Sequence, residues 1–189
     1  MVGPSGSGKT TLLNLIAGLI LPDSGQIIVG GRDMTALSTR ARRSLRAEKI
    51  GFVFQDFALL DYLDARDNIL YAHRISGTLK LNAAVRARAA YLANAMNIAD
   101  RLDHHPPALS QGERQRVAIC RALLATPKVI LSDEATGNLD PDNKALILDL
   151  LFTQTKESGA ALVAVTHDHA HLSRFDRVID FAEFRKKPR

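Results

Sequence analysis

The eight residues Gly3-Pro4-Ser5-Gly6-Ser7-Gly8-Lys9-Thr10 constrain this chain more than any other segment, because they fit the pattern GxxxxGK[ST] in full. Glycines this close together allow backbone conformations that other residues avoid, so successive N–H groups can converge on one anion. The next stretch, Lys9 to Ala17, reads as a helix: Leu12, Leu13, Leu15 and Ile16 are apolar and Gly18 is placed to end it. The positive end of that helix points at the same anion. Lys9 is expected to reach the β- and γ-phosphates of a nucleotide, and the Thr10 hydroxyl to ligate Mg²⁺. An ordinary glycine turn has no need of the lysine, the hydroxyl and a following helix together.

A phosphate loop of this kind needs a carboxylate on a neighbouring strand. Val129-Ile130-Leu131-Ser132-Asp133-Glu134 supplies one, as an apolar run whose end carries two acids. Asp133 suits a hard cation, which takes oxygen ligands. Glu134, one step further out, is placed to polarise an attacking water. The two segments together indicate a P-loop NTPase, a class that includes kinases, GTPases and helicases.

Composition agrees with a globular chain. Its 189 residues suit one domain, or one core with an insertion, and 46% hydrophobic against 24% charged residues can bury a real core. The apolar run Ala160 to Val165 is far too short to span a bilayer. Nothing at the N-terminus has the order of a secretory signal. The single cysteine, Cys120, cannot form an internal disulfide, so a soluble protein of a reducing cytosol is expected. The net charge of +5 is compatible with an anionic partner without implying one.

Strands and helices alternate along the chain. Val2 reads as the tail of a strand, Gly25 to Val29 as a short strand, Gly30 to Asp33 as a turn and Ile50 to Gln55 as a strand. From about Phe57 to Leu102 strand character is lost, and Asn82 to Met96 has Val85, Ala89, Leu92 and Met96 at helical spacing. Helices are also expected over Glu113 to Leu124 and Asp142 to Ser158, with strands at Val129 to Leu131 and Ala160 to Thr166. Asp140 is the candidate cap before Pro141. This order implies a parallel sheet covered on both faces. The basic run Arg40 to Lys49 reads as a solvated face, and the tail Arg185 to Arg189 as frayed. His167, His169 and His171 alternate, but joint metal ligation would require strand geometry where Asp168 to Leu172 reads as a helix start.

The segment Leu109-Ser110-Gln111-Gly112-Glu113-Arg114-Gln115-Arg116 narrows the class. Ser110 and Glu113 have the spacing of a capping box, and the helix they open presents a second anion-attracting end. The full order is the phosphate loop, Gln55 after a strand, LSQGE, Asp133-Glu134, Gly137-Asn138-Leu139-Asp140 and then His167. It resembles the nucleotide-binding subunit of ATP-binding cassette (ABC) transporters over essentially the whole chain. The GxVFQ-like strand and the GNLD segment look most like the lipoprotein-release, macrolide-export and cell-division subgroup.

The resemblance implies an α/β fold: a P-loop NTPase (RecA-like) parallel-sheet core, residues 1–56 and 125–189, with an inserted helical subdomain, residues 57–124. It implies an ATPase that powers transport or release by separate transmembrane permease subunits, with ATP and Mg²⁺ as ligands. Gly3 to Thr11 bind nucleotide, with Lys9, Glu134 and His167 catalytic. Thr10, Gln55 and Asp133 attend the metal, Gln55 coupling to the membrane subunit. Ser110 and Gly112 of the signature segment close the nucleotide site of a second copy in an ATP-sandwiched homodimer, and Asp140, which closes the D-loop, is counted among the nucleotide-binding residues. A peripheral place on the cytoplasmic face of the inner membrane follows, with no nucleic acid expected.

Gln111, Glu113 and Ala135 depart from the commonest family residues. Only Met1 and Val2 precede Gly3, so the resemblance leads one to expect an N-terminally truncated chain. The β-hairpin and the strand entering the phosphate loop would be largely missing, and the neighbouring strands short of partners. Two alternatives stand beside the transporter reading. One is a soluble ABC-type ATPase acting on nucleic acid, though such proteins carry coiled-coil or zinc insertions or two cassettes. The other is an inactive fragment.

Overall fold

The structure, a computed structural model, describes residues 1–134 and 141–184. Ala135, the segment Gly137 to Asp140 and the tail Arg185 to Arg189 lie outside the described residues. In chain order come α1 (Lys9–Ile16), a hairpin of β1 (Ile28–Val29) and β2 (Arg32–Asp33), α2 (Thr39–Lys49) and β3 (Ile50–Val53). Three helices follow, α3 (Ala65–Ile75), α4 (Ala83–Ala95) and α5 (Gln111–Leu123). Then come β4 (Val129–Asp133), α6 (Pro141–Ser158) and β5 (Ala161–Val165), with 3-10 turns at His169–Arg174 and Phe181–Phe184. No described helix is long and apolar enough to cross a membrane.

The central sheet is parallel, in the order β3-β4-β5. Side chains alternate across it with the period of two that a strand imposes. Ile50, Leu131 and Val165 face a cluster built with Leu13 of α1, Ala17 just after it and Leu45 of α2. Val53 and Ile130 face the opposite cluster, which gathers Ile69 and Leu70 of α3, Leu92 of α4, Ile119 and Leu123 of α5, and Ile147 and Leu151 of α6. Helices thus cover both faces, which is why the strands read as nearly continuous apolar runs.

Helix starts follow their capping residues. Ser38, Asp64, Asn82 and Ser110 each accept a hydrogen bond from a backbone N–H of the helix they precede, α2, α3, α4 and α5 respectively. The capping box expected at Ser110 is present, with Glu113 Oε2 accepting from the Ser110 N–H at 2.8 Å. Helix α1 differs. Its cap is Gly8, which makes no side-chain cap bond, so the N–H groups of its first turn remain open to a ligand.

Two local expectations need correction. Only Ile28 and Val29 of the stretch from Gly25 are strand, because Gly25 takes a φ of 87° and breaks the extended run. Arg32 and Asp33, expected in a turn, form the partner strand. Ile28 pairs Asp33 and Val29 pairs Arg32, so Gly30-Gly31 alone make the turn, with φ of 55° and 78°. Positive φ at both turn residues matches the twist of a two-residue hairpin. At the start of the chain, Met1 and Val2 supply rungs on both sides. The Met1 amino group donates to Ala164 O at 2.6 Å and Thr166 N–H to Met1 O at 3.1 Å. Val2 N–H donates to Ile179 O at 3.0 Å and Phe181 N–H to Val2 O at 2.9 Å. The strand entering the phosphate loop is thus represented by two residues lodged between β5 and residues 179–181.

Helix α5 lies so close to β3 that a Cβ added at Gly51 would sit 2.3 Å from Ala122 O. That contact is with backbone, which cannot swing aside. Gly51→Ala should therefore destabilise the fold by about 1–3 kcal/mol, read as a lower urea midpoint with an unchanged slope.

Candidate functional site

The ends of β4 and β5, the loop before α1 and the first turn of α1 meet at one edge of the sheet. There Ser5, Gly6, Ser7, Gly8, Lys9, Thr10, Thr11, Glu134 and His167 line a cavity of about 200 Å³. Loop shape rests on backbone that glycine alone adopts without strain: φ is 135° at Gly3, 72° at Gly6 and 97° at Gly8. At Gly3 there is also no room, since a Cβ would lie 3.0 Å from Phe181 Cβ. Lys9 is buried and bends back over the loop. Its Nζ donates to Gly3 O at 2.8 Å and Pro4 O at 2.9 Å, and reaches Ser7 Oγ at 3.5 Å. Among the described residues it makes no ion pair, so a buried cation is held only by neutral acceptors. An anion in the cavity would complete its environment.

Opposite the loop, Glu134 Oε1 lies 2.8 Å from His167 Nε2. Glu134 leaves β4 with a φ of 47°, uncommon for a residue with a side chain, and its N–H donates to Val165 O at 3.1 Å. That turn places the carboxylate beside the residue following β5's extension. His167 comes next after Thr166, whose hydroxyl accepts from Asp168 N–H at 3.0 Å. Asp133, buried beneath the cavity, has its carboxyl held above the ordinary aspartate range. Desolvation is the main cause and the Glu134 charge adds to it, opposed by the Thr10 hydroxyl and the Lys9 charge. The oxygens of Asp133 and Thr10 are a donor set suited to a hard divalent cation.

Other expected site residues stand apart. Gln55 lies just past β3, exposed, and does not line the cavity. Ser110 and Gly112 sit at the start of α5, also outside it. Asp140 lies outside the described residues. Sequence reading missed Arg121, whose guanidinium reaches the backbone just beyond Gln55. Its only sequence signal is its spacing, two helical turns after Arg114.

A glycine-rich loop capping a helix, a buried lysine and two acids at the end of a parallel strand beside them define a P-loop nucleoside triphosphatase. The chain belongs to the ABC transporter family, whose pattern matches residues 1–137. It is 43% identical over 183 residues to the "Lipoprotein-releasing system ATP-binding protein LolD" of Maricaulis maris, covering 97% of this chain and 79% of that one. The protein of the same name from Rhodopirellula baltica, LolD 1, is 46% identical over 167 residues, covering 88% and 72%.

Among solved structures, the dimeric bacterial ABC transporter cassette MJ0796 matches with a TM-score of 0.84 and 35% identity, over 95% of this chain and 78% of that one. A dimeric post-hydrolysis state of the same cassette bound to ADP and Pi matches with a TM-score of 0.78 and 36% identity, over 88% and 73%. The chain is an ATP-binding, ATP-hydrolysing subunit of an ABC transporter.

A pKa raised by burial means that ionised Asp133 subtracts from stability at neutral pH, and the penalty is relieved as pH falls through the folded-state pKa. Asp133→Asn should therefore raise the Tm of the nucleotide-free protein at neutral pH. The gain should shrink on acidification as the parental carboxyl takes up its proton. Thermal melts across the acid range test this.

Proposed function

We propose that Gly3 to Thr11 cradle the phosphates of ATP, that Lys9 and the open N–H groups of α1 neutralise them, and that Glu134 and His167 carry the chemistry. The observation that carries this reading is the buried Lys9 ammonium, without an ion pair among the described residues, facing the Glu134–His167 pair. Thr10 and Asp133, with Gln55 from just past the end of β3, would hold Mg²⁺. When bound, the metal would neutralise phosphate charge.

Hydrolysis at this site is mostly positioning and charge neutralisation. The oxygen of a water bonds to the γ-phosphorus as the bond from that phosphorus to the β–γ bridging oxygen breaks. Glu134 orients the water and takes its proton. His167 donates toward the γ-phosphate. Its contact with Glu134 holds both side chains in the cavity lining, across from the loop that would cradle a terminal phosphate.

Ser110 and Gly112 do not line their own chain's cavity, which favours their acting on the nucleotide of a second copy, at the positive end of α5. We take the working form to be a head-to-tail homodimer with two ATP at its interface, and residues 57–124 to be a helical subdomain that passes closure to the transmembrane subunits. Attachment to those subunits would hold the chain at the cytoplasmic face of the inner membrane. The relatives named for lipoprotein release suggest lipoproteins as the cargo. Depleting the chain from its own cells should then leave lipoproteins retained in the membrane from which they are normally released.

Glu134→Gln tests the assignment of the base. Turnover should fall about 10²- to 10⁴-fold while ATP affinity stays near the parental value, as read by steady-state hydrolysis and ATP titration. Hydrolysis at the parental rate would remove Glu134 from the chemistry.

A further inference from the structure

Just after Gln55, two consecutive residues with side chains occupy the left-handed region, Phe57 at φ 65° and Ala58 at φ 46°. One such residue is uncommon, and a pair needs something to hold it. Nothing local suffices: the turn's own bond, Phe57 N–H to Phe54 O, is 3.2 Å. The hold comes from α5. Arg121 Nη1 donates to Ala58 O at 2.5 Å and Nη2 donates to Phe57 O at 2.6 Å, a planar fork closed on two successive carbonyls.

Further contacts from α5 converge on the same turn. Two turns earlier on α5, the Arg114 guanidinium lies 5.7 Å from the centre of the buried Phe57 ring. Burial pulls the Arg121 pKa down to about 10, while the charge of Asp56, beside Gln55, pushes it up. The guanidinium stays charged at neutral pH, where its bonds to carbonyls are strongest.

We infer that Arg121 is a positioning residue: from α5 it clamps residues 55–58 and so fixes where Gln55 stands relative to the nucleotide site. The inference rests on the metal-attending role proposed above for Gln55. It makes α5 a single rigid link, with Ser110 and Gly112 at its start and the grip on the Gln55 turn near its end. A shift of the signature segment against a second copy's nucleotide would then pull on the Gln55 turn of its own chain. Lysine keeps the charge at position 121 but cannot bridge two carbonyls in a fixed plane.

The test compares Arg121→Lys, Gln55→Ala and the double variant of the whole chain. Readouts are kcat, KM for ATP, the Mg²⁺ concentration for half-maximal hydrolysis, Tm, and amide exchange at residues 57–59. Arg121→Lys should lower kcat about tenfold or more and raise the Mg²⁺ requirement, with little change in Tm, and should speed amide exchange at 57–59. The double variant should be no slower than Gln55→Ala alone, because both act through one group.

Losses that multiply, or an Arg121→Lys chain with parental kcat and parental exchange, would overturn the inference. If Gln55→Ala itself hydrolyses ATP at the parental rate, the Gln55 role falls. The exchange data then decide the clamp: faster exchange in Arg121→Lys upholds it and unchanged exchange ends it. Should Arg121→Lys lose Tm, Arg121→Gln, an uncharged donor, is measured in the same way.

Discussion

The phosphate loop is held by a buried ammonium group bound to its own backbone. Lys9 grips Gly3 O and Pro4 O from the first turn of α1, and the loop can close over it only because Gly3, Gly6 and Gly8 accept positive φ. A charged amine buried against neutral carbonyls is costly, and the cost is tolerable where an anion is due to arrive. The rest of the architecture serves that arrangement. The parallel sheet brings the ends of β4 and β5 to the loop, its two buried faces anchor α1 on one side and α5 on the other, and Glu134 and His167 close the cavity. Leaving α1 without a side-chain cap keeps its positive end available.

The two ends of α5 have different surroundings. Its C-terminal half packs on the sheet, with Ala122 against Gly51 and Ile119 and Leu123 in the main cluster. Its start, at Ser110 and Gly112, lies away from the chain's own cavity. A capping box and an ion pair from Arg101 Nε to Glu113 Oε1 at 2.8 Å stiffen that start. A helix rigid at its tip and fixed at its base is suited to carrying a displacement between two sites in a dimer.

Most of the fold was legible because its elements announce themselves by period or by cap. The apolar runs around Ile130 and Val163 and the helical spacing of Val85, Ala89 and Leu92 survive in the structure, as does the Ser110–Glu113 box. Helix α3 was hidden, because two of its buried positions are Asn68 and His73. Asn68 is buried to satisfy the preceding turn: its side chain accepts from Leu60 N–H and donates to the carbonyls of Leu60, Leu63 and Asp64. The β1–β2 hairpin was misjudged because glycines at 25, 30 and 31 look alike in sequence while only two of them make the turn. In the site, the grouping of Lys9, Glu134 and His167 was readable from motif order. The Arg121 grip was not, since its partners are backbone carbonyls whose placement depends on two strained residues and not on any side-chain pattern.

In the proposed mechanism the cavity built around Lys9 is half of a nucleotide site, completed by the signature segment of a second copy. Light scattering of the Glu134→Gln chain with and without Mg-ATP tests it most directly, because arrested turnover preserves whatever assembly ATP promotes. The expected result is a monomer without nucleotide and a dimer with it. A chain that binds ATP yet remains monomeric at saturation would contradict the shared-site mechanism.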